Sequence, residues 1–231
     1  MKSKLSLIIL LIFTFFCCKG QQELPKDLDL EGLKGLPKRI VETSEIKPSN
    51  RLIKEIYYFN KQGFLTKMEH YNVYHKDEDS LSLGDITFYT NPVKNSRFSI
   101  TVRNQSNDTI RLKDYNLIND SLININIIEY KNSFNTKVSQ KLNRENRIIK
   151  TTTKITDTLN KVVKANSETE FIYIEGELNE LIITNDKTNE NSKSVMIKNE
   201  KKDEFGNFVY RELIDENETI VYIVKREYIY H

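Results

Sequence analysis

The residues best suited to acid–base or metal chemistry are three histidines and an acidic loop. His75, Asp77 and Asp79 fall within five positions, and an imidazole with two carboxylates could ligate a divalent ion. A charged loop that is simply solvated has the same composition, and we favour that interpretation. His70 and His75 are five positions apart, which on one extended strand places them on opposite faces, and His231 is the last residue of the sequence. The sequence therefore predicts neither a metal site nor a catalytic histidine.

Other catalytic patterns are absent from the sequence. No serine falls in a recognisable nucleophile motif, and neither an HExxH nor a Walker pattern occurs. The chain has seven glycines, several of them in turn-like contexts, so no glycine-rich phosphate loop is present. We predict that the protein is not an enzyme and needs no cofactor.

The first eighteen residues have the pattern of an export signal. Lys2 and Lys4 precede an apolar run over residues 5–16, which ends at Cys17 and Cys18. A membrane-spanning helix needs about 20 apolar residues, so this run is too short for one. The stretch resembles a bacterial lipoprotein signal, in which cleavage exposes a cysteine that carries a diacylglyceryl group.

This resemblance implies a lipidation site and a division of the chain. Cys18 is the better acceptor because the residue before the cleavage point should be small; Cys17 is the alternative. Residues 1–18 would be the signal peptide and acylated cysteine, 19–36 a tether and a turn against the edge of the fold, and 37–231 a β domain. The membrane is then a partner through the N-terminal lipid. Lys19 favours the outer over the inner membrane, with the periplasmic or surface face left open.

The composition limits what stabilises the fold and what it binds. The chain has two cysteines in all, so cleavage before Cys18 leaves the folded part without a disulfide. It has 35 Lys and Arg against 33 Asp and Glu, and loss of Lys2 and Lys4 makes the two numbers equal. Such a balance gives no general attraction to nucleic acid.

From residue 38 onward the pattern is that of β-strands. Branched and aromatic residues recur in short runs bounded by polar turns, and Ile123, Ile125 and Ile127 alternate with polar residues. Connections this short favour antiparallel hairpins. We predict an all-β fold, an up-and-down antiparallel meander of hairpins forming an open twisted sheet or a partly closed barrel. The run at 220–224 is apolar on both faces and should be central in the sheet or covered on both sides.

Three turns have a common design. The pattern Asn/Asp-x-x-Gly/Asn places an Asx side chain at the start of a turn and a residue that tolerates positive φ three positions later. The turn residues are Asn60 with Gly63, Asn143 with Asn146, and Asp203 with Gly206.

These turns resemble the hairpins of the YD-repeat (RHS-like) family, in the short form found in lipoproteins of Bacteroidota-type bacteria. The matching stretches are residues 58–66 and 203–209, near the two ends of the β domain. The resemblance implies a hairpin fold and does not imply an activity.

Four Asp-Ser/Thr-apolar triplets resemble O-glycosylation acceptors of exported proteins in the same bacteria. The acceptor hydroxyls would be those of Ser80, Thr109, Ser121 and Thr158. The alternative is that Asp-Ser/Thr simply starts a strand after a turn, and both interpretations stay open.

Tyrosine is frequent, with 12 Tyr and no Trp. A row of tyrosines on a sheet could bind a glycan or an envelope protein, although cross-strand packing is the commoner explanation. We therefore predict a lipid-anchored envelope protein with a non-enzymatic binding or structural role. The alternative is a carrier of an apolar ligand in a barrel or half-barrel cavity, lined by Ile123, Ile125, Ile127, Phe171 and Tyr173.

Overall fold

The computed structural model describes residues 23–47, 49, 51–73, 82–130, 132–185 and 192–231. The signal peptide with Cys17 and Cys18, the loop with His75, Asp77 and Asp79, and the acceptor Ser80 lie outside these residues. Within them the chain forms one short helix, α1 (Asp27–Leu30), and fourteen strands. No helix of this part of the chain is long and apolar enough to cross a membrane.

The strands follow one another with short connections. They are β1 (Pro37–Ile46), β2 (Arg51–Phe59), β3 (Leu65–Val73), β4 (Ser82–Tyr89), β5 (Ser96–Arg103), β6 (Thr109–Asn119), β7 (Leu122–Glu129), β8 (Phe134–Leu142), β9 (Ile148–Asp157), β10 (Val163–Ile174), β11 (Glu177–Asn185), β12 (Lys193–Lys202), β13 (Phe208–Ile214) and β14 (Ile220–Tyr230).

Each strand pairs antiparallel with its neighbours in sequence, and β1 pairs with β14 to close a barrel. The predicted all-β up-and-down meander is confirmed, and its closure is complete. Closure gives β14 a partner on each edge, although its side chains are only partly buried and Tyr222 is 39% exposed. A closed barrel also leaves no unpaired strand edge that could recruit another chain.

Side chains that point inward and outward alternate along the strands, so the barrel has an inner and an outer face. Ile123 and Ile125 on β7 are buried in the barrel interior, and they face Leu117 and Tyr115 on β6 across the ladder. Because side chains of a strand point alternately to its two faces, Asn124, which lies between them, points outward.

Residues 23–36 enter one mouth of the barrel, and we call them the plug. The sequence predicted only a turn against the edge of the fold. Instead, Leu24 packs against Leu117, Ile123, Ile125 and Leu142 of three strands. The leucines of this segment alternate with charges and glycines, so its own pattern indicates neither a regular element nor a partner surface. The plug is buried because the barrel wall surrounds it.

The plug continues across the mouth with a second hydrophobic contact. Leu28 of α1 packs against Ile40, Phe59 and Leu65 of the first three strands. The backbone N–H of Leu24 also donates a hydrogen bond to Lys94, in the turn after β4. The plug therefore contacts the wall at several points around this end of the barrel.

Candidate ligand-binding lumen

The three turns of common design all lie at the plug end of the barrel. In each, an Asx oxygen accepts two backbone N–H bonds: Asn60 from Gln62 and Phe64, Asn143 from Glu145 and Arg147, and Asp203 from Phe205 and Asn207. The fourth residue of each has positive φ: Gly63 at 88°, Asn146 at 62° and Gly206 at 85°. The turns form a rigid rim for the plug to contact.

A fourth turn of this kind lies between β13 and β14. Asp215 accepts from Asn217 and Thr219, and Glu218 takes the positive φ of 59°. Because the fourth residue of this turn is Glu, the sequence pattern, which requires Gly or Asn at that position, did not predict it.

Gly63 offers a direct test of contact between rim and plug. A Cβ at Gly63 would lie 3.1 Å from Leu28 Cδ1, and φ there is positive. We expect Gly63→Ala to lower the free energy of unfolding by about 1–2 kcal/mol, since a left-handed conformation is costly for alanine. Urea unfolding followed by circular dichroism measures the change. Gly176→Ala is the control, because Gly176 also has a positive φ of 81° but a Cβ there would meet only Arg147 Nη1, at 3.9 Å. It should lose less stability than Gly63→Ala, and an equal loss for both variants would contradict contact between Gly63 and the plug.

One end of the plug is held by a buried ion pair. Arg97 on β5, with a side chain 2% exposed, donates from Nη1 to Asp27 Oδ2 at 2.5 Å and from Nη2 to the Leu65 carbonyl at 2.8 Å. The Leu65 N–H donates to the same carboxylate at 2.7 Å. The guanidinium also lies over the rings of Tyr89 and Tyr115, 4.8 and 5.7 Å from their centroids. Burial raises the pKa of the Asp27 carboxyl, and Arg97 opposes that shift.

The other end of the plug is held by Asn207, which is buried. Its Oδ1 accepts from the Lys34 N–H at 2.7 Å, and its Nδ2 donates to the Lys34 carbonyl and to Tyr230 Oη, both at 2.9 Å. These contacts join β13, β14 and the plug. Because both ends are held by groups on the barrel wall, the plug has a fixed position in the mouth.

A cavity of about 240 Å³ lies between the plug and the wall, and we call it the lumen cavity. Most of its lining is apolar or aromatic, which is typical of small-molecule sites. The apolar and aromatic lining residues are Leu30, Leu33, Ile40, Tyr57, Phe59, Leu65, Tyr89, Tyr115, Ile125 and Ile148. The polar ones are Asp27, Glu31, Lys113, Gln140 and Arg226.

The charged groups of the lining differ in how they are paired. Asp27 pairs with Arg97, while Arg226 pairs with Glu42 at 2.6 Å and with Glu31 at 3.6 Å. Lys113 makes no hydrogen bond or ion pair within the described residues. Burial, reinforced by the nearby Arg111, lowers the pKa of Lys113. The cavity thus presents one cation without a contacting counter-ion.

The residues predicted to line a ligand cavity are divided by the plug. Ile125 lines the lumen cavity, whereas Ile123 packs against Leu24. Ile127 packs against the same cluster from its edge. Phe171 and Tyr173 line a second, smaller cavity of about 140 Å³ on the other side of the plug. The plug therefore occupies part of the space that these residues were predicted to line.

Beyond Lys113, away from the plug, the inner face carries paired charges. His70 Nδ1 lies 3.0 Å from Glu55 Oε1, and Arg111 pairs with Glu129 at 2.8 Å. Glu55 also accepts a hydrogen bond from the Tyr57 hydroxyl. The lumen therefore changes from apolar near the plug to polar farther away, and Lys113 lies at the boundary.

The outer face of β8, β9 and β10 carries charged side chains. Val138 of β8 packs inward, so Lys137 and Lys141 point outward, facing Lys154 and Lys150 of β9 across the ladder. The same face continues on β10, where Glu170 pairs with Lys150 at 3.2 Å.

Another part of the outer face is apolar. Phe88, Phe98, Ile100 and Ile128 of β4, β5 and β7 are each about half exposed and share this face. A transmembrane barrel needs an apolar band around its whole circumference. Here exposed apolar side chains also occur on β6 (Ile118) and β14 (Ile229), but the lysines of β8 and β9 interrupt any continuous apolar band.

The predicted glycosylation acceptors within the described residues lie on the surface. The hydroxyls of Thr109, Ser121 and Thr158 belong to exposed residues, and Ser121 is at the plug end. Their glycosylation stays a prediction.

The tyrosines do not form one row. Tyr57 and Tyr228 pack inward near Leu28, while the hydroxyls of Tyr58 and Tyr71 donate to Glu69 on the outer face. Among the described residues, no cluster of three or more metal-ligating side chains occurs.

Comparison with known proteins shows a likeness of fold. No protein-family model matches the sequence, and neither does any curated protein. A porin-like protein from Bacteroides vulgatus has a TM-score of 0.51 at 10% identity, over 85% of this chain and 99% of that one. A porin-like protein from Bacteroides uniformis has a TM-score of 0.47 at 11% identity, over 89% and 100%. The first likeness shows a shared barrel fold.

Proposed function

We propose that the protein is a lipid-anchored, non-enzymatic binding protein of the bacterial envelope, and that its barrel carries a small apolar molecule. The observation that carries this proposal is the lumen cavity, whose apolar and aromatic lining is held open between the plug and the wall. Ten of its fifteen lining residues are apolar or aromatic. Export to the envelope follows from the N-terminal signal, and the porin-like fold is consistent with it.

The outer face argues against a barrel that spans the membrane. A lysine facing lipid near the bilayer midplane costs about 2–4 kcal/mol. Lys137, Lys154 and Lys225 all lie on outward-facing strand positions and are exposed. Because several such residues would have to face hydrocarbon at once, the barrel is better suited to the aqueous side of a membrane. The lipid would then be its attachment.

The plug also argues against a transport pore. It crosses one mouth of the barrel and is fixed by Asp27 and Asn207 to opposite parts of the wall. A pore would need a continuous aqueous path, whereas this end of the lumen is apolar. A carrier instead needs one closed end and a mostly apolar surface inside the barrel, which the plug and the wall supply.

The size of the lumen cavity sets the size of a test ligand. An engineered cavity of about 150 Å³ holds benzene, which suggests that 240 Å³ holds about ten non-hydrogen atoms. 1-Octanol is close to that size and carries no charge. We expect it to bind the lipid-free domain, residues 19–231, in isothermal titration.

Filling the cavity should abolish this binding. Gln140 lines the cavity and has space beside it, so Gln140→Trp should lower the affinity for octanol by about tenfold or more. Lys141→Trp is the matched control, since Lys141 is the next residue and lies on the exposed outer face. Octanol that binds both variants equally well would refute the carrier proposal, and so would a parent domain that binds neither octanol nor a charged molecule of the same chain length.

A further inference from the structure

We infer that the ligand of the lumen cavity is a small organic anion with an apolar body, and that its anionic group binds Lys113. This inference rests on the proposed carrier function and names the chemical class of its ligand. It depends on where Lys113 lies, on what surrounds it, and on the pairing of the other charges.

Lys113 occupies the boundary between the two halves of the lumen. It lies at the middle of β6, where it faces Ser99 on β5 and Ile127 on β7 across the ladders. Tyr115, two residues nearer the plug, lines the apolar cavity, and Arg111, two residues farther, belongs to the polar half. A molecule whose head contacts Lys113 can therefore place its body against the plug.

The other charges near the cavity already have partners, so they do not need a ligand. Asp27 is neutralised by Arg97, and Arg226 lies between Glu42 and Glu31. Glu129 pairs with Arg111, and Glu55 with His70, so the carboxylates that attract Lys113 at longer range are themselves engaged. An ammonium group that lacks a contacting carboxylate is costly to bury. A bound anion would remove that cost.

The apolar body of the ligand would have a defined environment. Leu33, Phe59, Leu65 and Ile125 supply aliphatic and aromatic surface from the plug and three strands. With a volume for about ten non-hydrogen atoms, the cavity suits a monocarboxylate of medium chain length better than a phospholipid. Octanoate has this size and is ionised at pH 7.

Three ligands of one chain length separate the head group from the tail. We expect octanoate to bind the lipid-free domain at least about tenfold more tightly than 1-octanol, because a charge-assisted contact is stronger than a neutral one. Octylammonium should bind more weakly than octanol, since its charge repels Lys113. Isothermal titration at pH 7 and low salt measures all three.

Lys113→Met removes the charge and keeps most of the side-chain volume. The affinity for octanoate should fall to that for octanol, while the affinity for octanol should stay the same or rise. The matched control is Lys137→Met, an exposed lysine on the outer face of β8, which should change neither affinity. Lys113→Arg, which keeps a cation, should retain a preference for octanoate over octanol.

The outcomes distinguish this inference from the carrier proposal. If neither octanol nor octanoate binds, both fail. If octanol binds and octanoate binds no better, or if Lys113→Met leaves the preference for octanoate intact, the carrier proposal stands and the anion site is wrong. If Lys113→Met does not fold, the relative affinities of octanoate, octanol and octylammonium for the parent domain still test the anion site.

Discussion

Replacing Asp27 by alanine should be the most damaging single substitution in the plug. The change leaves the Arg97 guanidinium, 2% exposed, without its carboxylate, and leaves the Leu65 N–H without an acceptor. Loss of one partner of a buried ion pair typically costs about 3–5 kcal/mol, because the remaining charge stays buried. We expect a loss of this size in the free energy of unfolding, measured by urea denaturation at pH 7.

The matched control for this prediction lies two residues away. Asp29→Ala changes the same helix and removes the same charge, yet the Asp29 carboxylate contacts no other side chain among the described residues. It should cost less than about 0.5 kcal/mol. Adding Arg97→Leu to Asp27→Ala should recover part of the loss, since no unpaired charge is then left in the lumen. Equal urea midpoints for Asp27→Ala and Asp29→Ala would show that this ion pair does not hold the plug.

Removal of the proposed lipidation site should move the whole protein from the membrane to the soluble fraction. Two acyl chains give stable attachment, at about 0.8 kcal/mol for each buried CH₂ group. The charged outer face of the barrel offers no comparable attachment. We expect residues 19–231, exported behind an ordinary cleavable signal, to remain soluble after cell lysis without detergent. The full chain should sediment with membranes and resist washing with salt.

Two cysteine variants identify the acceptor in the full chain. Cys17→Ala should keep the diacylglyceryl mass and Cys18→Ala should lose it, as intact-mass spectrometry would show. The reverse result would assign the lipid to Cys17. If the 19–231 domain instead stayed with membranes after washing with salt and urea, the barrel itself would be the anchor, and the conclusion drawn from Lys137 and Lys154 would be wrong.

The strands and rim turns could be predicted because both depend on local sequence. The alternation at Ile123, Ile125 and Ile127 reflects one buried and one exposed face, and this pattern is visible in a few residues. The Asx side chains of Asn60, Asn143 and Asp203 bond to backbone groups two and four residues later. Such short-range interactions leave a signature in the sequence.

Closure of the barrel and the position of the plug depend on contacts between distant residues. Asp27 and Arg97 are 70 residues apart, and Lys34 and Asn207 are 173 apart. No local pattern signals either pair. The closing ladder joins β1 to β14, the two ends of the β domain. Whether a meander of strands stays open or closes is decided only by that final pairing.

The position of Lys113 in the lumen could not be predicted from the sequence either. In sequence, Lys113 is one of many lysines that lie in strands of alternating polarity. Only the register of β6 with β5 and β7 places it on the inner face. The cavity beside it exists because the plug fills part of the lumen and leaves another part open. Its location therefore depends on packing among the plug and nine strands.

The most direct test of the central claim is native mass spectrometry of the 19–231 domain purified from the periplasm of its own cells. The structure predicts an additional mass of a small organic acid on the parent protein. The same mass should persist with Lys141→Trp and disappear with Gln140→Trp, which fills the cavity. A bare parent protein, or an additional mass that Gln140→Trp retains, would contradict the claim that the lumen carries a ligand.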